Sequence, residues 1–216
     1  MQYVDDGNHG SAFRFLTIAK EVTIANSRCQ RLESAERNLR DRLKAITFSN
    51  LACFYKTTGR HNLALQYCRQ VLEIESQLRD ASINVIGHPV FRRSVNIEFV
   101  ATTHLNMCSI LSSMQRHREA LKHAELALRF VGLGEVGSGA EGDTPAMIWA
   151  EAGDEPAGEK ENFEKSLRTQ AYYSVSLELE ALDRAEQAVV MLAAAHTTAQ
   201  VRQTPCRPRS WANLSH

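Results

Sequence analysis

Residues 48–75 read FSNLACFYKTTGRHNLALQYCRQVLEIE, and the order of apolar and turn-forming residues in this stretch decides the fold. Before Gly59, the residues Leu43, Ile46, Leu51 and Phe54 keep a spacing of three or five. After it, Leu65, Cys68, Val71, Leu72, Ile74 and Leu78 lie along one side of a second helical pattern. Gly59 itself can take the left-handed conformation that ends a helix. The stretch therefore predicts a helix, a tight turn and a second helix. That second helix should stop near Gly87, ahead of Pro89. At about 1.5 Å per residue, Asn62 to Val85 would span roughly 35 Å.

Working outward, the same period appears in Phe13, Leu16, Ala19 and Val22, read as one stripe. It appears again from Val90 to about Met114, and, after a polar corner at Gln115–His117, through Ala120, Leu121, Ala124, Leu126, Ala127, Leu128 and Val131. Strand-like alternation is almost absent. The segment Thr103–Phe130 is an internal copy of the first. Asn106, Met107, Cys108, Leu111, Gln115, Ala120, Ala124 and Ala127 align with Asn50, Leu51, Ala52, Tyr55, Gly59, Ala64, Cys68 and Val71.

This repeated unit resembles the tetratricopeptide repeat. Phe48, Leu51, Ala52, Tyr55, Gly59 and Ala64 fall on the family's signature places, while Cys68 and Val71 stand where an aromatic residue and Ala are commoner. Two weaker copies flank the pair. Gly7, Ala12, Leu16 and Ala19 have the spacing of a repeat's second helix. Near the other end, Tyr172, Tyr173, Ala185 and Val189 fit the frame loosely, with Ser176 at the place of Tyr55. The resemblance implies an all-α, right-handed α-solenoid of antiparallel helix pairs. Its expected parts are a half repeat at 7–28, repeats at 29–86 and 90–131, a flexible Gly/Pro/acidic linker at 132–160, a degenerate third helix pair at 161–202 and a disordered tail at 203–216. Turn positions 52 and 56 residues apart exceed the usual repeat of about 34, so the helices should be long.

Small side chains let paired helices approach, and Ala52, Ala64, Cys108, Ala120 and Ala124 supply them, with Ala127 following on the same face. Phe48, Leu51, Tyr55, Met107 and Leu111 would fill the space between neighbouring pairs. One pair cannot bury its own apolar face, so stability comes from stacking.

The remaining features argue against chemistry. Lys plus Arg and Asp plus Glu balance at 25 each, which removes the positive field that drives non-specific nucleic-acid binding, so no nucleic-acid partner is expected. Arg92 and Arg93, with Arg202, Arg207 and Arg209, read as solvated faces. The five cysteines, Cys29, Cys53, Cys68, Cys108 and Cys206, form no CxxC pair and read as buried or idle thiols of a reducing compartment. The first thirty residues do not read as a signal peptide. The longest apolar run, Ala188–Ala195, is too short for a membrane span, so no membrane insertion is expected.

Gly132, Gly134 and Gly137 spell GxGxxG, but the motif leaves a helix and enters the linker rather than leaving a strand. Met147, Ile148 and Trp149 are the linker's apolar exception. His61, His104, His117 and His123 lack metal-ligand spacing, and His61 and His117 are expected to be exposed corner residues. Asp183 and Glu186 have the spacing of a reciprocal helix cap. No catalytic residue, metal or cofactor is expected.

In the family, the first helix of each repeat lines a concave groove, and an Asn at this place bonds the backbone of a bound peptide. The resemblance therefore implies a partner-binding groove formed by Ser49, Asn50, Cys53, Lys56 and Thr57 with Leu105, Asn106, Ser109, Ser112 and Ser113. The same Asn is also common where it only bonds a neighbouring helix. A carboxylate clamp of the chaperone-binding kind is not expected. The implied function is a non-enzymatic, cytoplasmic adaptor or scaffold for a protein or peptide partner. The alternatives are a structural subunit of a larger complex, such as a cytoskeletal or ciliary assembly, and a helical regulatory domain of an enzyme.

Overall fold

The computed structural model describes residues 9–25, 34–84, 97–136 and 157–200. Among these residues there are seven helices and no strand: α1 His9–Ala25, α2 Ser34–Thr57, α3 His61–Asn84, α4 Ile97–Ser113, α5 His117–Val136, α6 Ala157–Ala181 and α7 Ala185–Gln200. α2 and α3 are 24 residues each, about 36 Å, which meets the expectation of long helices.

The pairs α2–α3, α4–α5 and α6–α7 form antiparallel hairpins. Successive hairpins stack through α3 on α4 and α5 on α6, and α1 packs on α2. The first helices α2, α4 and α6 also touch in sequence order. The described residues thus form an all-α solenoid of three hairpins preceded by one second-type helix.

The three turns are the same structure built from different residues. Gly59 N–H donates to the Lys56 carbonyl and Arg60 N–H to that of Tyr55; Gln115 and Arg116 repeat this with Ser112 and Leu111, and Asp183 and Arg184 with Glu180 and Leu179. This double closure satisfies carbonyls that the helix end would otherwise leave open, and it needs a left-handed residue. Gly59, Gln115 and Asp183 supply it at φ 74°, 60° and 63°. Each turn then hands over to the next helix through an arginine carbonyl: Arg60, Arg116 and Arg184 accept from Ala64, Ala120 and Ala188.

These bonds place Asp183 opposite Gly59, which corrects the expected third frame by three residues. Leu179, not Ser176, matches Tyr55 and Leu111, while Ser176 joins Ala52 and Cys108 as the small buried residue of its helix. Asp183 is accordingly the left-handed turn residue and not a cap of α7, since the Arg184 carbonyl precedes that helix.

One core cluster runs from α1 through all three hairpins, with Ala45, Phe48, Leu51, Ala52, Tyr55, Ala64, Cys68 and Val71 meeting Met107, Cys108, Leu111, Ala120 and Ala124, and reaching Val175, Leu179 and Ala188. Ala64, Ala120, Ala124 and Ala127 have no exposed surface, as close helix approach requires. A second cluster joins α4, α5 and α6 through Ala101, Leu105, Ala127, Val131, Leu167 and Ala171. On α1, Ala12 and Leu16 face the core and Lys20 Nζ donates to Tyr67 Oη of α3 at 3.0 Å. Ile18 and Val22 face outward instead, so Phe13, Leu16, Ala19 and Val22 do not form a single buried stripe. Leu43 and Ile46 of α2 are likewise half exposed.

The expected linker is shorter at both ends. α5 continues through Gly132 and Gly134 to Val136, and α6 begins at Ala157. Gly132 and Gly134 are therefore helical, while Gly137 and Met147–Trp149 lie outside the described residues, as do residues 203–216.

Candidate functional site

The first helices carry the expected groove residues on their outer side. Asn50 and Asn106 occupy matching places on α2 and α4, both half-buried, with Ser174 in the third hairpin. Ser49, Cys53, Lys56, Ser109 and Ser112 are also half-buried, and Thr57 and Ser113 are exposed. Leu105 departs from the expectation. It is 5% exposed because α6 lies over α4 there, bringing Leu167 and Ala171 onto it in the second cluster. It is a packing residue and does not line a groove. Toward the start of α2 the outer side turns apolar at Leu39, Leu43 and Ile46, and on α6 at Phe163, Tyr173 and Leu177.

Behind this face sits a polar cluster that the sequence pattern did not expose. Glu178 of α6, 3% exposed, lies 2.8 Å from His117 Nδ1 of α5 through Oε2 and accepts from Cys108 Sγ of α4 at 3.9 Å through Oε1. His117 Nε2 is 3.2 Å from Gln115 Oε1. His117 is thus no free corner residue; it ties the second hairpin to the third. A buried carboxylate needs such partners, and the corrected frame, which turns Glu178 inward beside Ser176, is the signal that would have found it. His61 is also half-buried, with Nδ1 lacking a partner.

His104 of α4 and His123 of α5 meet with Nδ1 atoms 3.0 Å apart, so one ring donates and the other accepts. His104 also stacks on Phe130 and stands where Phe48 and Tyr172 stand in the other hairpins. Burial, helped by His123, lowers its pKa from 6.5 to about 4. His123 is lowered by burial and by the Arg69 charge, against the pull of Glu119. Both rings act as neutral core aromatics.

Of the described thiols, all free, Cys68 and Cys108 are buried as expected and Cys53 is half-buried; Cys29 and Cys206 lie outside the described residues. Burial pushes Cys68 and Cys108 up to about 12, reinforced by Cys53 and by Glu178 respectively. It also raises Cys53 against the opposing charge of Lys56. Thiols held protonated in this way are poor nucleophiles. No His, Cys, Asp or Glu group among the described residues has metal-binding geometry, and no described helix is long and apolar enough to cross a membrane.

The tetratricopeptide repeat family matches residues 45–78, which run from the middle of α2 through most of α3. No curated protein matches the chain. Among solved structures the chain is similar to that of BtubC (BKLC) from P. vanneervenii, at 14% identity and a TM-score of 0.41, covering 99% of this chain and 82% of that one. Residues 45–78, in the hairpin of α2 and α3, thus form a tetratricopeptide repeat.

Proposed function

We propose that the protein is a non-enzymatic adaptor or scaffold, working in the cytoplasm, which holds an extended segment of a protein partner along the outer side of α2, α4 and α6. The observation that carries this reading is the pair Asn50 and Asn106, at matching places on adjacent first helices and both half-buried. An amide so placed offers a donor and an acceptor to a peptide backbone, and Ser49, Ser109 and Ser112 beside the pair add hydroxyls. Tetratricopeptide repeats are generally protein-binding modules and typically lack enzymatic activity, which supports the same reading.

The test compares partners captured from cells by the intact protein with those captured by Asn50→Ala and Asn106→Ala variants, each confirmed folded by circular dichroism. Loss of the same partner from both variants is expected. Equal retention of every partner by both would remove the groove.

A further inference from the structure

We infer that copies of this chain stack head to tail, the outer face of α7 in one copy seating on the outer face of α1 and the first half of α2, short of Asn50, in the next. The corrected frame makes the openness of α7 measurable. Leu65, Leu121 and Val189 are equivalent positions on the three second helices; they are 2%, 6% and 65% exposed. Cys68, Ala124 and Leu192 form another such set, at 1%, 0% and 49%. In the first two hairpins another hairpin follows and packs on the second helix, whereas no described helix follows α7. In the third hairpin these positions face away from the cleft of about 500 Å³ with α5, which Val190 and Gln187 line.

The opposite end of the solenoid is open in the same sense. On α1, Ile18 and Val22 lie on the side away from Lys20, the residue that reaches α3, and are 48% and 53% exposed. Beside them on α2, Leu43 is 50% exposed, while its counterpart in the third hairpin, Leu167, is 4% exposed. α1 and α7 are 17 and 16 residues long, so the two faces match in length at about 25 Å.

Charge selects a second copy as the occupant. The chain as a whole is balanced, yet α1 and α2 carry seven Lys or Arg against three Asp or Glu, whereas residues 157–200, leaving aside the buried Glu178, carry six Asp or Glu against four Lys or Arg. Opposite fields at the two ends attract unlike ends and repel like ends. Because the two faces differ, the contact is heterologous: each copy added keeps a free end for another, until a ring closes or a filament grows.

The experiment measures mass against concentration, by sedimentation or light scattering, for the full chain and two double variants. The tail variant is Val189→Glu with Leu192→Glu; the head variant is Ile18→Glu with Val22→Glu. All four sites are exposed, and helix content by circular dichroism checks the fold. The parent should grow with concentration into dimers and longer species, and less so at high salt. Each variant alone should stay monomeric, and an equimolar mixture should give dimers and nothing longer, since each variant keeps the face the other lacks. A parent that is monomeric throughout, a variant that dimerises by itself, a mixture that stays monomeric, or association indifferent to salt would each overturn the inference.

Discussion

Replacing His104 by Phe should flatten the protein's response to acid. The ring is 7% exposed, and burial beside His123 holds its pKa near 4 instead of 6.5. Above pH 6.5 the imidazole is neutral in folded and unfolded chains alike and contributes no pH dependence. As pH falls from 6.5 toward 4, the unfolded chain binds a proton that the folded one declines, so folding weakens, and the loss is complete below 4. The ceiling, at 1.36 kcal/mol per pKa unit, is about 3 kcal/mol. Water reaching the half-buried His123 screens the site, which reduces the expected loss to roughly 2 kcal/mol at about pH 4.5. Phe keeps the stack on Phe130 and is the residue found at the equivalent position 48, but it cannot titrate. Urea unfolding of both proteins at about pH 7.5 and pH 4.5 measures the difference. The variant should lose roughly 2 kcal/mol less than the parent between the two conditions. Equal losses would refute the assignment of a buried, neutral His104.

Three further substitutions probe the packing and the turns. Ala64→Leu, at a site with no exposed surface, should overpack the first hairpin and cost about 1–3 kcal/mol; thermal unfolding would show it, and an unchanged midpoint would count against close helix approach there. His117→Ala leaves one oxygen of the buried Glu178 without its 2.8 Å partner and should cost roughly 1–3 kcal/mol. Hydrogen exchange should then rise in α6 and α7 before α2 and α3. Asp183→Gly relieves a left-handed non-glycine residue and should stabilise by up to about 1 kcal/mol, read as a higher urea midpoint.

Much of the fold was legible because the repeat's small residues are also buried ones: Ala52, Ala64, Cys108 and Ala120 could be picked from the resemblance to the tetratricopeptide signature. The third hairpin was harder because its turn carries Asp183 where glycine is expected, and Tyr172 and Tyr173 both offered themselves as the aromatic landmark. The better landmark was the arginine after each turn, with alanine four residues on, since Arg60–Ala64, Arg116–Ala120 and Arg184–Ala188 share one hydrogen bond. A frame set three residues early hid the inward turn of Glu178. Leu105 was misjudged for a different reason: its burial comes from α6, a contact between residues far apart in sequence that helical period does not encode. The His104–His123 pair was invisible for the same reason, since periodicity places two rings on facing helices but does not bring their nitrogens together.

The three closures at Gly59, Gln115 and Asp183 share one geometry, while 56 residues separate the first from the second and 68 the second from the third. The variable lengths are therefore taken up where the hairpins connect to one another, away from the closures. One rim of the wall is stamped from a single die and the other is free to differ in length. A tag or fused domain inserted between α3 and α4 or between α5 and α6 should leave the stacking intact, whereas one inserted at residues 58–60, 115–116 or 182–184 would split a hairpin.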